Sequence, residues 1–233
     1  MTSPEQAVAR IADWFESYFV DIEQLRDDIT AELADTFTDD APKVVSQRVS
    51  ERIRDISVEF LQQHPRSDGA GLVFELARLD PAKARLEWWL RDGARFQRNN
   101  FILDPSSERF YDFEKLDWFQ GGFHQESRTI AGPYIDHLGV DYYISTLTVP
   151  AYVGERKVGI VGSDVRMDDL ERVLIPLLAQ LPRGAAVLSR HNQVLVGNSG
   201  ELSTGVLVAA VPQGYSVAPV PVPGLGLRLL YRD

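Results

Sequence analysis

The chain of 233 residues contains no cysteine, two methionines and four histidines. The absence of cysteine excludes disulfide bonds, thiol catalysis and cysteine-ligated metal, and it fits a reducing cytosol. No apolar run approaches the roughly 18 residues that a membrane-spanning helix needs. The N-terminal stretch MTSPEQAVARIADWFES lacks the basic start and apolar block of a secretory signal. These absences predict a cytoplasmic protein that has no membrane partner.

The composition is acidic, with 34 Asp and Glu against 24 Lys and Arg and a formal net charge of −10. Nucleic-acid-binding proteins usually carry basic surfaces, so a nucleic-acid partner is not expected. Hydrophobic residues make up 44% and charged residues 25% of the chain, as in ordinary soluble globular proteins. The length suffices for one sizeable domain or for a domain with a smaller annex.

Apolar residues near the N-terminus recur every three or four positions, which predicts a helix from Pro4 to about Asp35. The apolar stripe of this helix consists of Val8, Ile11, Phe15, Tyr18, Ile22, Leu25 and Ile29. A second helix, from about Val45 to Phe60, follows the break at residues 38–43. Because the first stripe averages 3.5 residues per repeat, two alternatives stay open. The helix either packs on its own domain or pairs with a second copy of itself in a homodimer.

Beyond Gly71 the pattern changes to strands. After the turn-rich stretch HPRSDGAG, the segments LVFELARL, LEWWLRDG and RFQRNNFIL are typical of strands, with a hairpin connection at LRDGAR. Two further strands, DYYISTLTVPAY and RKVGIVGSDV, flank a tight turn at Gly154-Glu155. Residues 104–139 form a long aromatic-rich segment, and a connection of this length is usually functional or contains short helices.

The C-terminal part predicts one more helix and a group of short strands. The helix MDDLERVLIPLLAQL has Asp168 as a plausible cap and Pro176 as a source of a kink. The segments AAVLSR and VLVGNS form a hairpin, followed by VLVAAV, GYSVAPVPV and LGLRLLY. Prolines 219, 221 and 223 suit an edge or bulged strand and not a central one. The predicted fold class is α+β, with a helical segment 1–66, a central domain 67–182 and a small β-rich lobe 183–233.

No arrangement of residues in the sequence indicates a catalytic centre. The histidines, His64, His124, His137 and His191, show no metal-binding spacing, and there is no GxSxG motif. The one acid–base pairing to consider is Asp136 with His137 or His124, acting on a small polar substrate. We therefore expect a protein that is not an enzyme and holds neither metal nor cofactor.

A recurring association of rings and carboxylates favours binding. It comprises Tyr111, Trp118, Phe119, Tyr134, Asp136 and Asp164. Aromatic rings enclose a cation, and carboxylates accept charge-assisted hydrogen bonds from an ammonium group. The alternatives are ordinary core packing for each ring, capping of local amides by Asp136 and a plain strand end at Asp164. A ligand-free dimerising adaptor is a further possibility, based on the heptad-like first helix.

The order of three motifs resembles the ligand-binding half of a Cache domain, a PAS-like sensor module of bacterial chemoreceptors and sensor kinases. These are YDFEKLDWF, then GPYIDHLGVDYYISTLTVP, then GIVGSDVRMDDLERVL. The resemblance is close over about residues 69–180. It implies long N-terminal helices on a PAS-like, mostly antiparallel sheet, with the last segment as a reduced second lobe. It also implies a small-molecule sensor that acts in signal transduction.

The resemblance assigns the six residues above to the ligand pocket, with Asp136 and Asp164 on the ammonium. In amino-acid-binding members an arginine stands where this chain has Leu116, and a tyrosine where it has Phe119. That arginine would hold a carboxylate through a bidentate fork. Its loss implies an amine ligand, unless Arg109 or Arg128 replaces it, in which case an amino acid fits. Without membrane helices the chain is expected to act as a stand-alone cytosolic protein with an unknown signalling partner.

Overall fold

The computed structural model describes residues 3–135 and 142–233, so Asp136 and His137 lie outside the described residues. Helix α1 spans Pro4–Glu32 and helix α2 spans Gln47–Gln63, close to the predicted bounds. Ser46 caps α2, because its hydroxyl accepts a hydrogen bond from the Val49 amide at 3.3 Å. Both predicted N-terminal helices are therefore confirmed.

The apolar stripe of α1 is buried within the single chain. Ile11, Phe15 and Ile22 have no exposed surface, and the rest of the stripe beyond Val8 is also buried. These side chains are therefore already used in packing, which favours the alternative that the helix packs on its own chain. A homodimer through this helix stays a prediction, and it would have to use a different face.

Six strands form the main sheet. They are β1 Ser67–Phe74, β2 Glu87–Asp92, β3 Arg95–Arg98, β4 Thr129–Ile135, β5 Tyr143–Val153 and β6 Arg156–Arg166. Their order in the sheet is β3-β2-β1-β6-β5-β4, with β1, β2 and β3 antiparallel. Helix α2 packs on β1 and β2. The hairpins at Gly93 and Gly154 are confirmed, and both glycines have φ near +60°.

Strand β1 begins at Ser67, so the prediction of a turn over HPRSDGAG is wrong for its second half. The glycines that suggested a turn allow close approach between strands instead. A Cβ on Gly71 would lie 2.1 Å from the Glu87 carbonyl oxygen, and φ there is +147°. The first predicted strand also ends early, because Leu76–Arg78 forms a 3₁₀ turn, and the third ends at Arg98.

The long aromatic segment folds into a chain of short helical pieces and a strand. Phe113–Lys115 is a 3₁₀ turn, Asp117–Phe119 is a single α-helical turn (α3), and Gln120–His124 is a π-helical turn. We call residues 113–124 the aromatic turn. The GPYI motif lies in β4, in which Gly132-Pro133 is a cis peptide.

Helix α4 spans Met167–Leu178, and a four-stranded sheet follows it. Arg166, not Asp168, is the N-cap residue; Asp168 lies in the first turn, where its charge still suits the helix dipole. The strands are β7 Ala186–Leu188, β8 Val194–Gly197, β9 Tyr215–Pro219 and β10 Arg228–Arg232, in the order β8-β7-β10-β9. The predicted edge position of the proline-containing strand is confirmed. The segment VLVAAV is not a strand, although residues 205–208 bond to β8.

The architecture is α+β, as the sequence predicts. The contacts between residues divide the chain into two compact units. The first unit comprises Met1–Val20, Ile130–Ser145 and Val165–Asp233, and the second comprises Asp21–Thr129 and Thr146–Asp164. The three-part division at residues 66 and 182 stays a prediction. Over the described residues, no helix combines the length and apolar character needed to cross a membrane.

Candidate ligand-binding site

Strand β2 shows that the two faces of the main sheet have different neighbours. Side chains alternate along a strand, so Glu87 and Trp89 share one face and Trp88 and Leu90 share the other. The Ser50 hydroxyl on α2 donates to the Glu87 carboxylate, which fixes the first face as the one under α2. The Trp88 indole contacts Asp164 on the opposite face. We call that opposite face the Asp164 face.

Asp164 is a buried carboxylate, 6% exposed, near the end of β6. Its Oδ1 accepts a hydrogen bond from the Thr146 hydroxyl at 2.6 Å, and its Oδ2 accepts one from the Trp88 indole N–H at 3.1 Å. Both donors are electrically neutral. The carboxylate therefore has a fixed direction in a buried setting, where charge-assisted hydrogen bonds are strong.

The aromatic turn packs on the same face of the sheet. Thr148 lies two residues after Thr146 on β5, and its hydroxyl donates to the Trp118 carbonyl oxygen at 2.9 Å. A Cβ on Gly122 would lie 2.9 Å from both Thr148 Oγ1 and Ile160 Cγ2, so the turn touches β5 and β6 directly. The aromatic turn and Asp164 therefore lie on one face of the sheet, because their partners on β5, Thr148 and Thr146, are two residues apart.

The rings of the segment form a connected aromatic cluster. Tyr111 is half-buried and lies on Phe101 with ring centroids 4.0 Å apart, and Phe113 and Trp118 are nearly parallel at 6.1 Å. Phe119 has no exposed surface and contacts Phe113 edge-on at 5.2 Å. Its complete burial matches the core-packing alternative, and Trp118 is also buried, with 7% of its surface exposed.

The far end of the aromatic turn is held to β6 by an ion pair. The Lys157 ammonium donates to the Phe123 carbonyl oxygen at 2.8 Å and to Glu126 Oε1 at 2.7 Å, and it lies 4.5 Å from the Phe123 ring centroid. Hydrogen bonds from Lys157 and then Tyr152 lower the pKa of Glu126. Burial, reinforced by Glu126, raises the pKa of Tyr152. The turn is thereby fixed at both ends.

The arginines proposed to replace Leu116 have different surroundings. Arg128 binds Glu23 of α1 through two hydrogen bonds, Nε to Oε1 at 2.8 Å and Nη2 to Oε2 at 2.9 Å. The hydrogen bond from Arg128 holds the pKa of Glu23 below its usual value. Arg109 is exposed, and Leu116 is half-buried directly before α3. The Arg128 fork is therefore already occupied by a carboxylate of the protein itself.

Two predicted site residues are not placed with the others. Tyr134 is half-buried in β4, in the compact unit that includes Ile130–Ser145, and Asp136 is outside the described residues. Across residues 3–135 and 142–233, no three His, Asp or Glu side chains are arranged to hold a metal ion. His124 is exposed and packs edge-on against Phe123 at 5.0 Å.

A concavity of about 550 Å³ lies in the C-terminal lobe between α4 and residues 197–204. Most of its polar side chains bond to the protein, and the buried Ser199 hydroxyl has no hydrogen-bond partner among the described residues. The Asn198 amide accepts from the Gly184 and Ala185 amides and donates to the Leu178 carbonyl oxygen, and the Thr204 hydroxyl donates to Glu171 at 2.6 Å. We regard the Asp164 face as the stronger candidate because it combines a buried carboxylate with the aromatic turn on one face of the sheet.

Helices against a mostly antiparallel sheet, with a short helical connection on the opposite face, define a PAS-like sensor module. The chain belongs to the family described as the methyl-accepting chemotaxis protein-like, first PDC sensor domain, whose model matches residues 55–172. It is a Cache-type sensor domain, so the resemblance seen in the sequence is confirmed.

Solved structures share this fold over nearly the whole chain. The ligand-binding domain of chemoreceptor Tlp3 of Campylobacter jejuni, in complex with 4-methylisoleucine, gives a TM-score of 0.65 at 12% identity, covering 97% of this chain and 86% of that one. That of CtaA of Pseudomonas fluorescens, with L-leucine, gives 0.64 at 16%, covering 98% and 90%. That of PctC of Pseudomonas aeruginosa, with GABA, gives 0.58 at 16%, covering 97% and 96%. None of the curated proteins matches.

Proposed function

We propose that this sensor domain binds a small ligand with an ammonium group on the Asp164 face. The observation that carries the proposal is the buried, doubly hydrogen-bonded Asp164 carboxylate on the sheet face that the Trp118 turn covers. In this function Asp164 accepts hydrogen bonds from the ammonium, and Trp118 forms an aromatic wall. Tyr111, Phe119, Tyr134 and Asp136 complete the predicted pocket on the basis of the family resemblance.

The ligand is proposed to be an amine, with an amino acid as the second candidate. Leu116 cannot bind a carboxylate, and the Arg128 guanidinium forms a bidentate pair with Glu23. Both observations support a ligand that lacks a carboxylate. The second candidate is supported by the structural neighbours, which were solved with GABA and L-leucine.

A thermal-shift screen with n-butylamine, putrescine, GABA and L-valine tests the proposal. A ligand at 100 times its dissociation constant should stabilise the fold by about 2.7 kcal/mol, which corresponds to roughly 5–11 °C for a chain of this size. If no compound in the screen shifts the melting temperature, the proposed ligand class is wrong.

A matched pair of variants locates the site. In Asp164→Asn the amide can accept from Trp88 and donate to Thr146, since a hydroxyl is both donor and acceptor. This variant should therefore fold, yet bind the ligand about 10- to 100-fold more weakly because the charge is gone. Asp117→Asn is the control, because Asp117 is an exposed acid adjacent to Trp118. Equal losses in both variants would argue against the Asp164 site.

The proposal requires neither a cofactor nor a metal, and it assigns no catalytic role. A sensor also needs a partner that responds to the ligand, and that partner remains to be identified. Cytoplasmic location and a homodimer stay predictions. Cell fractionation tests the location, and sedimentation with and without ligand tests the homodimer.

A further inference from the structure

The Trp88 indole reaches Asp164 across an intervening strand. In the sheet order, β1 lies between β2, which carries Trp88, and β6, which carries Asp164. Gly69 of β1 lies at the crossing point. A Cβ there would be 2.7 Å from Trp88 Nε1 and 3.0 Å from Asp164 Oδ2. The absence of a side chain at residue 69 therefore gives the indole room to pass over β1.

Thr146 reaches the same carboxylate from the other side, because β5 is the neighbour of β6 opposite β1. Trp88 therefore donates to Oδ2 and Thr146 to Oδ1 of the same carboxylate. Two hydrogen bonds to different oxygens fix both the position and the rotation of a carboxylate. Without them the side chain could turn about its terminal torsion, which has a broad preference.

We infer that Trp88 and Thr146 are positioning residues for ligand binding, which hold Asp164 in the direction that an ammonium group requires. The inference rests on the proposed function at Asp164 and adds two residues to that site. A preorganised acceptor binds more tightly because the ligand does not have to order it.

The adjacent tryptophans supply a matched test. Trp88→Phe keeps a ring but removes the N–H bonded to Asp164, and we expect affinity for the tightest-binding compound among n-butylamine, putrescine, GABA and L-valine to fall about tenfold. Trp89→Phe is the control, because Trp89 lies on the α2 face and its buried Nε1 has no hydrogen-bond partner among the described residues. Its affinity should stay within about threefold of the wild type.

Thr146 provides a rescue experiment that loss of packing would not reproduce. Thr146→Val keeps the shape and removes the hydroxyl, so affinity should fall as in Trp88→Phe, whereas Thr146→Ser keeps the hydroxyl and should restore it. Titration calorimetry measures each affinity, and thermal unfolding checks that each variant is folded. In the ¹⁵N–¹H spectrum, Asp164→Asn should shift the Trp88 indole signal and leave that of Trp89 in place.

The outcomes separate the two proposals. If none of the four compounds binds the wild type, the proposed function fails, and this inference fails with it. If the wild type binds and Asp164→Asn does not, but Trp88→Phe and Thr146→Val bind like the wild type, only the positioning role is refuted. Weaker binding by Thr146→Ser equal to that of Thr146→Val would also refute it, because the hydroxyl would then be irrelevant.

Discussion

Removal of the Glu87 carboxylate should destabilise the α2 face of the sheet more than any surface charge change. Glu87 has no exposed surface, and both its oxygens accept from the Ser50 hydroxyl, at 2.9 and 2.8 Å. Arg85 Nε lies 2.8 Å and Arg98 Nη1 3.6 Å from the carboxylate. Glu87→Ala would leave these groups without their acceptor beneath α2. Breaking a buried ion pair from one side costs about 3–5 kcal/mol.

The two arginines are about a quarter to a third exposed, so water can replace part of what they lose. We therefore expect a loss near the lower end, about 3 kcal/mol, equivalent to roughly 6–12 °C in melting temperature. Urea unfolding at neutral pH measures the change directly. The control is Arg172→Gln, which removes an exposed guanidinium that pairs with Asp168 and Asp169 at the protein surface and should cost less than about 1 kcal/mol. A loss below about 1 kcal/mol for Glu87→Ala would refute the reasoning.

Three further predictions concern other parts of the chain. Arg128→Gln should lower the free energy of unfolding by about 1–2 kcal/mol at pH 7. Because the pKa of Glu23 is lowered in the folded state, this stabilisation is present above the ordinary glutamate pKa of about 4.3 and is lost as the pH falls below it. Urea unfolding should therefore show no difference from the wild type near pH 2, and a cost that persists at that pH would contradict the prediction. Asn198→Ala should lower the melting temperature by about 4–8 °C, since four backbone hydrogen bonds lose their partner, and a shift below about 2 °C would count against this account. Gly71→Ala should cost at least about 3 kcal/mol in urea unfolding, because its Cβ would overlap the Glu87 carbonyl oxygen, and near-wild-type stability would show that β1 can shift.

Much of the fold could be predicted from periodicity. The stripe of α1 and the strand pairs around Gly93 and Gly154 are encoded locally, by apolar spacing and by turn residues, so their positions agree with the structure. The start of β1 was missed because Gly69 and Gly71 also suit turns. Whether a glycine allows a turn or a close contact depends on the strand beside it, and a local pattern does not contain that information.

The candidate site could likewise be predicted only in the part that local sequence encodes. Asp164 and Trp118 could be selected because their motifs occur in a recognisable order. Trp88 and Thr146 could not, because their role depends on which strands are neighbours in the sheet. The adjacent residues Trp88 and Trp89 place one indole on each face of the sheet, and the sequence alone does not show which indole donates a hydrogen bond to a carboxylate.

The C-terminal sheet has a consequence for how the protein behaves at high concentration. Residues 205–208 occupy the outer side of β8, with the Gly205 amide bonded to Val194 and the Val194 amide bonded to Val206, each at 2.8 Å. On the other side, β9 ends in Pro219, which has no amide hydrogen to offer. A foreign strand that added to this sheet would first have to displace residues 205–208 beside β8, and at the end of β9 it would meet a residue without an amide hydrogen. Each margin of the sheet therefore carries a local obstacle to strand addition that does not depend on charge.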